Sequence, residues 1–360
     1  MDLLREVSGL NKVVVARHIS ADKTFPVAHN AINRTALCYS YSHQPDFESY
    51  FIALSPYIWV LWICGLAVLM ATCILFVVTI RAAWQHWRQS STNVTVVLAV
   101  YPIVASSAFL AIVLPRCRIL AEAIAQEAVM IAMCHLYSMI ITECGGPDQL
   151  IRRSSDARLE TRVLPCCCWP CCLIPRPKLQ KRSLVFMKCL VMQMPVIQAL
   201  IYVVLLALLA EDMMIYHESS IYFQPFIAAS ILTGVWGVIM CVRMAETAGH
   251  RVRPRFLAIQ LALIIVKVQS GFAKFLPELI EIPCVSSINP SVFINMIQNG
   301  VMLLEMLLLS IWAWRLYRVA PGKNLDRPQV VVAVLDDSIK PVDPKTMIGL
   351  ENKSFNERYK

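Results

Sequence analysis

Charged residues are scarce in this 360-residue chain, where Asp, Glu, Lys and Arg together make up 16% of the sequence. Soluble domains carry about 25%. Hydrophobic residues reach 58%, and the mean hydropathy is +0.59. This composition excludes an ordinary soluble protein and indicates an integral membrane protein.

The sequence also lacks the short motifs of common enzymes. It contains no His-Glu-x-x-His, no Gly-Lys-Ser/Thr phosphate loop and no Gly-x-Ser-x-Gly. We therefore expect no enzyme activity, no cofactor, no metal site and no ATP-driven transport by this chain alone. A cleavable signal peptide is not expected either, because the first 20 residues lack an apolar core after a basic start.

Long apolar stretches dominate what is present. About 20 apolar residues cross the hydrocarbon core of a bilayer as a helix. Seven such stretches predict an all-α integral membrane protein, with a seven-helix domain over residues 57–318. Spans 1 to 7 are predicted at residues 57–80, 94–114, 119–141, 184–210, 221–242, 256–276 and 291–314.

The distribution of lysine and arginine predicts the orientation, because these residues concentrate in cytosolic loops. The loops after spans 3 and 5 and the end of span 7 are basic, whereas 211–220 and 277–290 contain neither residue. Arg116 and Arg118, after span 2, are the exception, and we expect their side chains to reach the membrane interface. The loops with lysine and arginine are therefore placed in the cytosol.

This orientation assigns the remaining segments. The N-terminal segment 1–56 is expected to be extracellular, whereas the Cys-rich basic loop 142–183 and the polar, disordered tail 319–360 are expected to be cytosolic. The net charge of +9 then follows from topology. We expect no nucleic-acid partner.

Polar side chains inside the spans are the candidate site, because such residues are costly in a bilayer and usually face a cavity or a partner. They are Glu127 and His135 of span 3, Gln260, Lys267 and Ser270 of span 6, and Asn295, Gln298, Asn299 and Glu305 of span 7. In one interpretation they are structural: amides bond between helices, and Lys267 pairs with Glu127 or Glu305. In the other, three polar faces converge on a pathway for amphipathic anions, and Lys267 attracts the head group.

Two covalent features are expected on the outer side. Asn33-Arg34-Thr35 is a glycosylation sequon with Asn33 as acceptor. Cys38 and Cys284 both lie on the predicted oxidising face, where a disulfide would join the N-terminal segment to the loop before span 7. Two free thiols are the alternative.

Five cysteines cluster in the basic loop, namely Cys166, Cys167, Cys168, Cys171 and Cys172. Cytosolic thiols stay reduced, which disfavours a disulfide knot. The spacing fits zinc poorly, and the bare Cys-x-x-Cys lacks the strand–helix–strand context of a redox motif. Nearby Trp169 and Arg176 suit membrane lipids, so S-palmitoylation is the preferred interpretation and unmodified thiols are the alternative.

Several short motifs follow one another in order along the chain. Pro102 and Pro115-Arg116 bracket span 2, Cys144-Gly145-Gly146 closes span 3, cysteines cluster at 166–172, Arg255-Phe256-x-x-x-Gln260 is followed by Gln269, and Glu305 precedes Tyr317-Arg318. In this order and spacing the chain resembles the organic solute transporter alpha subunits, over roughly residues 50–320. One position departs from that pattern: family members commonly have an acid where this chain has Thr142, and Glu143 follows one place later.

The resemblance implies a facilitative carrier of bile acids, steroid conjugates or similar lipids at the plasma membrane, with endomembranes as a further location. It also implies a heteromer with a small single-span beta subunit. The alternative is a seven-helix receptor or a membrane scaffold protein without transport activity. Against a G-protein-coupled receptor, span 3 lacks Asp-Arg-Tyr, and Asn289-Pro290 opens span 7 instead of closing it.

Overall fold

The computed structural model describes residues 47–55, 57–153, 180–279 and 289–319. In these ranges the regular secondary structure is entirely helical, without a strand. The helices are α1 (Phe47–Ala53), α2 (Ile58–His86), α3 (Ser91–Val113), α4 (Arg118–Glu143), α5 (Pro147–Arg153), α6 (Lys181–Glu211), α7 (Met213–Thr247), α8 (Arg253–Leu279) and α9 (Pro290–Tyr317). Single 3₁₀ turns at Arg88–Ser90 and Pro115–Cys117 lead into α3 and α4.

Seven of these helices are long and apolar enough to cross a membrane, namely α2, α3, α4, α6, α7, α8 and α9. The predicted all-α fold with seven membrane-spanning helices is thereby confirmed. The short helices α1 and α5 were not predicted, because each is too short to produce a hydropathy signal. Which side of the bundle faces the cytosol stays a prediction.

Span 5 differs most from its predicted bounds, because α7 begins at Met213 instead of residue 221. The predicted loop 211–220 therefore shortens to a sharp junction at Asp212. The Asp212 carboxylate accepts a hydrogen bond from the Met214 backbone N–H at 2.9 Å, which caps the helix. Since the polar residues after this cap continue the helix, hydropathy alone placed its start too late.

The helices α3 and α4 form the centre of the bundle. Helix α3 packs against α2, α4 and α9, and α4 also contacts α6, α7 and α8. Small side chains such as Ala105, Ala108 and Ala132 are buried there, and small residues let helices approach closely inside a membrane. The outer face of α2 instead exposes Val60, Ile63 and Ile74, as expected for contact with lipid.

Two glycines bring α6 and α7 together as a hairpin. A Cβ atom at Gly234 would lie 2.2 Å from Met194 Cγ, and one at Gly237 would lie 3.3 Å from the Met187 carbonyl oxygen. Residues three apart share one helix face. The hairpin is therefore packed too closely at this face for larger side chains.

The bundle has two ends. We call the end where α2, α4, α7 and α9 begin the cavity end, and the end where these helices finish the basic end. Lys181 and Arg253, which belong to the basic loops after spans 3 and 5, lie at the basic end. At that end Gly145 and Gly146 have φ angles of 85° and 90° and separate α4 from α5. Glycine is suited to this left-handed conformation because it has no Cβ atom.

Several predicted features lie outside the described residues. They are the sequon at Asn33, the Cys38–Cys284 disulfide, the lipidation cluster Cys166, Cys167, Cys168, Cys171 and Cys172, and the tail from residue 320 onward. These features stay predictions.

Candidate binding cavity

A cavity of about 320 Å³ opens among six of the spanning helices at the cavity end. Its walls come from the last turns of α3, α6 and α8 and the first turns of α4, α7 and α9. Its charged, amide and hydroxyl-bearing side chains include Arg118, Glu122, Gln126, Tyr202, Tyr216, Lys267, Ser270, Lys274, Asn295, Gln298 and Asn299. A space of this size lies within the range of small-molecule pockets, about 300–1,000 Å³.

Cationic groups outnumber carboxylates among the described residues of the cavity wall. Arg118 begins α4, and Lys267 and Lys274 project from α8. Glu122 is the only carboxylate in this part of the wall that the structure describes. The cavity therefore favours a negatively charged occupant.

The outer level of polar contacts joins α4 to α8. Lys274 Nζ donates to Glu122 Oε1 at 2.9 Å. The Gln126 Nε2 group, one turn further along α4, donates to the same Glu122 oxygen at 2.8 Å. At this level the positive charge of Lys274 is compensated by a neighbouring carboxylate.

The inner level lies one turn deeper along α4 and joins α4, α6 and α8. Lys267 Nζ donates to Gln126 Oε1 and, at 3.2 Å, to Gln198 Oε1. The Gln198 Nε2 group donates to Gln126 Oε1 at 3.1 Å. Both glutamines are buried. Within the described ranges, no carboxylate lies at ion-pair distance from Lys267, so amide oxygens alone hold its amino group.

Apolar and aromatic groups complete the wall beside these levels. Tyr202 of α6 and Tyr216 of α7 are buried in one hydrophobic cluster with Ile119, Leu205 and Ile227. All five also line the cavity. Cationic and apolar side chains that line one cavity match a molecule with an anionic head and an apolar body.

Five of the predicted site residues line this cavity: Lys267, Ser270, Asn295, Gln298 and Asn299. Asn299 Nδ2 donates to the Asn295 backbone carbonyl at 2.7 Å and to Asn295 Oδ1 at 3.1 Å, and both side chains are buried. The structure therefore brings the predicted faces of spans 6 and 7 together at one cavity.

The other four predicted residues do not line the cavity. His135 Nδ1 lies 2.9 Å from Asn93 Oδ1, and Glu305 Oε2 accepts from Gln269 Nε2 at 2.5 Å. Glu127 Oε2 and Gln260 Oε1 are buried without a hydrogen-bond partner among the described residues. Pairing of Lys267 with Glu127 or Glu305, one of the two interpretations, is not present in this structure.

The cavity uses a different face of span 3 from the one predicted. Arg118, Glu122 and Gln126 are spaced by four residues and lie on one face of α4. The sequence did contain a signal for these three residues. Lys267 and Lys274 recur at helical spacing on α8, and amino groups inside a membrane need hydrogen-bond acceptors on a neighbouring helix. Gln198 could not be chosen from the sequence, because Gln193, the other amide of that span, is five positions away and points to a different side of the helix.

A second polar cluster, which we call the Arg255 cluster, closes the basic end. The Arg255 guanidinium donates to both Glu143 oxygens, with Nη1···Oε2 at 2.5 Å and Nη2···Oε1 at 3.2 Å. These side chains are 11% and 7% exposed. Arg255 also lies 4.3 Å from the centre of the Trp87 ring, which packs against Tyr317. The cluster thus joins the ends of α2, α4 and α9 to the start of α8.

The chemistry available in the cavity is binding through charge and hydrogen bonds. In the described ranges, no three His, Cys, Asp or Glu side chains come together in a way that could hold a metal ion. The arrangement can accept an anionic group at Lys267 and cover an apolar body.

Comparison with known proteins gives one consistent result. The sequence model of a family described as "Organic solute transporter Ostalpha" matches residues 60–322. An "Organic solute transporter alpha-like protein" of Drosophila melanogaster is 22% identical over 292 residues, covering 79% of this chain and 87% of that protein. The "Organic solute transporter subunit alpha" of Danio rerio is 22% identical over 229 residues, covering 62% and 70%. No solved structure matches.

Proposed function

The chain belongs to the organic solute transporter Ostalpha family, and we propose that it is the alpha subunit of a facilitative transporter for amphipathic organic anions. Family membership and the seven spanning helices make it a multi-pass membrane protein and a solute transporter subunit. The proposal adds the solute class, which comprises bile acids, steroid conjugates or similar lipids. It also adds the plasma membrane as the location.

The charge of the cavity carries this proposal. Lys267 points an amino group at the cavity without a carboxylate at ion-pair distance in the described ranges. Removing a charge from water is unfavourable unless a partner compensates it. An anionic solute supplies that partner when it binds, and the buried Tyr202 and Tyr216 contact its apolar body.

A small single-span beta subunit is the proposed partner. One relative is itself named as a "subunit alpha", and a subunit implies a heteromer. The face of α2 that exposes Val60, Ile63 and Ile74 is available to lipid or to another spanning helix. We propose a heteromer in which neither chain alone transports solute.

Uptake of a labelled steroid sulfate tests the proposed function. Cells that express this chain with a suitable beta subunit are expected to show saturable uptake and efflux, and the chain alone is expected to show neither. Surface biotinylation provides the control for delivery to the membrane. Absence of flux with every partner tried, despite surface expression, contradicts the proposal; ligand-dependent signalling without flux would favour the receptor or scaffold alternative.

We further propose S-palmitoylation of the cluster Cys166, Cys167, Cys168, Cys171 and Cys172. Each acyl chain contributes about 0.8 kcal/mol per buried CH₂, so two chains would hold the basic loop against the inner leaflet. Acyl-biotin exchange is expected to label the wild-type chain and to lose most of that label when all five cysteines are replaced by serine. Equal labelling of both proteins would refute the assignment, and a Cys189→Ser variant serves as a control outside the loop.

The remaining covalent features are proposed for the outer side. Asn33 is the proposed glycan acceptor. Cys38 and Cys284 are the proposed disulfide partners, which would join the N-terminal segment to the loop before α9.

A further inference from the structure

We propose that Glu122 sets the charge selectivity of the cavity, so that solutes with a singly charged head group bind in preference to those with a doubly charged one. This inference rests on the proposed function and concerns the same cavity. It assigns Glu122 as a specificity-determining residue and narrows the solute class to amphipathic monoanions.

The position of Glu122 supports this role. Glu122 lies one turn into α4 from Arg118 at the mouth, and one turn before Gln126 at the inner level. Lys274 and Lys267 are seven positions apart on α8, which is about 10 Å along a helix. The carboxylate therefore lies between the mouth and the deepest cation, on the route of an entering head group.

The hydrogen bonds fix the carboxylate in that position. Glu122 Oε1 accepts from Lys274 Nζ at 2.9 Å and from Gln126 Nε2 at 2.8 Å. The side chain of Glu122 is 15% exposed, against 40% for Lys274. Two donors on different helices therefore hold the negative charge at the cavity wall.

At the inner level the described wall offers one cation, Lys267, that can pair with a negative charge of the solute. Lys267 is the cation without a carboxylate partner in the described wall, whereas Lys274 is already paired. A first negative charge on the solute neutralises Lys267. A second charge on the same head group meets no free cation at that depth among the described residues, and it is repelled by the Glu122 carboxylate through a medium of low dielectric constant.

Arg118 does not remove this discrimination. Its side chain is half-buried at the first residue of α4, on the far side of Glu122 from Lys267. It attracts every anion to the mouth, whatever its charge. Selection between one and two charges therefore occurs deeper, between Glu122 and Lys267.

Three ligands built on one sterol separate charge from shape: the 3-sulfate, the 3-phosphate monoester and the methyl phosphodiester. At about pH 8 the monoester carries close to two negative charges, because its second pKa is about 6. The sulfate and the diester each carry one. The diester keeps the phosphorus chemistry of the monoester, so a difference between these two reports the second charge.

Direct binding to the full chain, purified with the partner that supports flux, gives the decisive comparison. For the wild type we expect the Kd of the monoester to exceed that of the diester by about tenfold or more. In Glu122→Gln this ratio is expected to fall below about threefold, because the repulsion is gone and Lys274 is free. Glu218→Gln removes an exposed carboxylate of α7 that does not line the cavity, and it should keep the wild-type ratio.

Each outcome is decisive. An unchanged ratio in Glu122→Gln, with the sulfate still bound, overturns the inference and leaves the proposed function standing. Failure of the wild type to bind any of the three ligands overturns the proposed function and the inference with it. If Glu122→Gln does not fold, Lys274→Gln decides: it leaves Glu122 uncompensated, so the ratio should rise above the wild-type value, and a lower ratio refutes the inference.

Discussion

Replacing Lys267 with glutamine is expected to lower the uptake of a steroid sulfate by about 10- to 100-fold, because a hydrogen bond to a charged group contributes about 1.5–3 kcal/mol. The glutamine amide is a neutral donor on a somewhat shorter side chain, directed toward Gln126 and Gln198, which now hold the lysine. What the variant lacks is the positive charge facing the cavity. Lys267→Arg keeps the charge and should retain more uptake than Lys267→Gln.

The stability of Lys267→Gln separates a binding role from a structural one. A lysine held by amide oxygens carries a desolvation cost, so a neutral replacement should leave the unfolding midpoint unchanged or raise it. Uptake, surface biotinylation and unfolding in detergent are measured on the same preparations. Lys188→Gln, at an exposed position on α6, is the control. Equal losses of uptake and of protein level would instead show that Lys267 is structural.

Removing one partner of the Arg255 cluster is expected to have the largest effect on stability. Arg255→Gln or Glu143→Gln leaves a buried charge without its partner, which costs about 3–5 kcal/mol. The two-oxygen contact and the low exposure of both groups support this magnitude. Arg255→Gln also removes the cation from the Trp87 ring, so it should be the more destabilising of the two.

An exposed ion pair nearby provides a matched control. Arg253 and Glu246 lie 3.0 Å apart with side chains 53% and 25% exposed, and such surface pairs contribute about 0–1 kcal/mol. Unfolding by titration with a denaturing detergent should therefore show a small loss for Arg253→Gln and a large one for Arg255→Gln. Similar losses for the two variants would contradict the assignment.

A charge exchange tests the pair itself. Glu143 lies at the C-terminus of α4 and Arg255 near the N-terminus of α8, where each charge opposes the helix dipole. The double variant Glu143→Arg with Arg255→Glu restores the pair and places both charges favourably. It should recover most of the stability lost in either single variant, apart from the contact with Trp87.

Hydropathy and charge were sufficient to predict the seven spans. Apolar runs identify helices in a membrane directly, because no other open structure satisfies the backbone there. The end of span 3 could also be read from Gly145 and Gly146. The start of α7 could not, since the capping of Met214 by Asp212 is a local interaction that a hydropathy average does not contain.

The candidate site was only partly predictable. Lys267 and Asn299 were found because ionisable and amide groups in a span are costly. The correct face of α4 was missed because Gln126 and Glu127 are neighbours in sequence and point to different sides of a helix. Hydropathy cannot rank two polar faces, and only the packing of α8 against α4 shows that Gln126 meets Lys267.

The junction at Asp212 has a mechanical consequence for the bundle. A connection of one residue joins α6 and α7, and the two helices also pack closely at Gly234 and Gly237. They therefore form one rigid hairpin. At the basic end the Arg255–Glu143 ion pair fixes α4 to α8. At the cavity end, Lys267 and Lys274 of α8 bind Gln126 and Glu122 of α4. Helices α6 and α7 are therefore expected to move together, and opening of the mouth between α4 and α8 is expected to break the lysine contacts at the cavity end and to leave the Arg255–Glu143 pair intact.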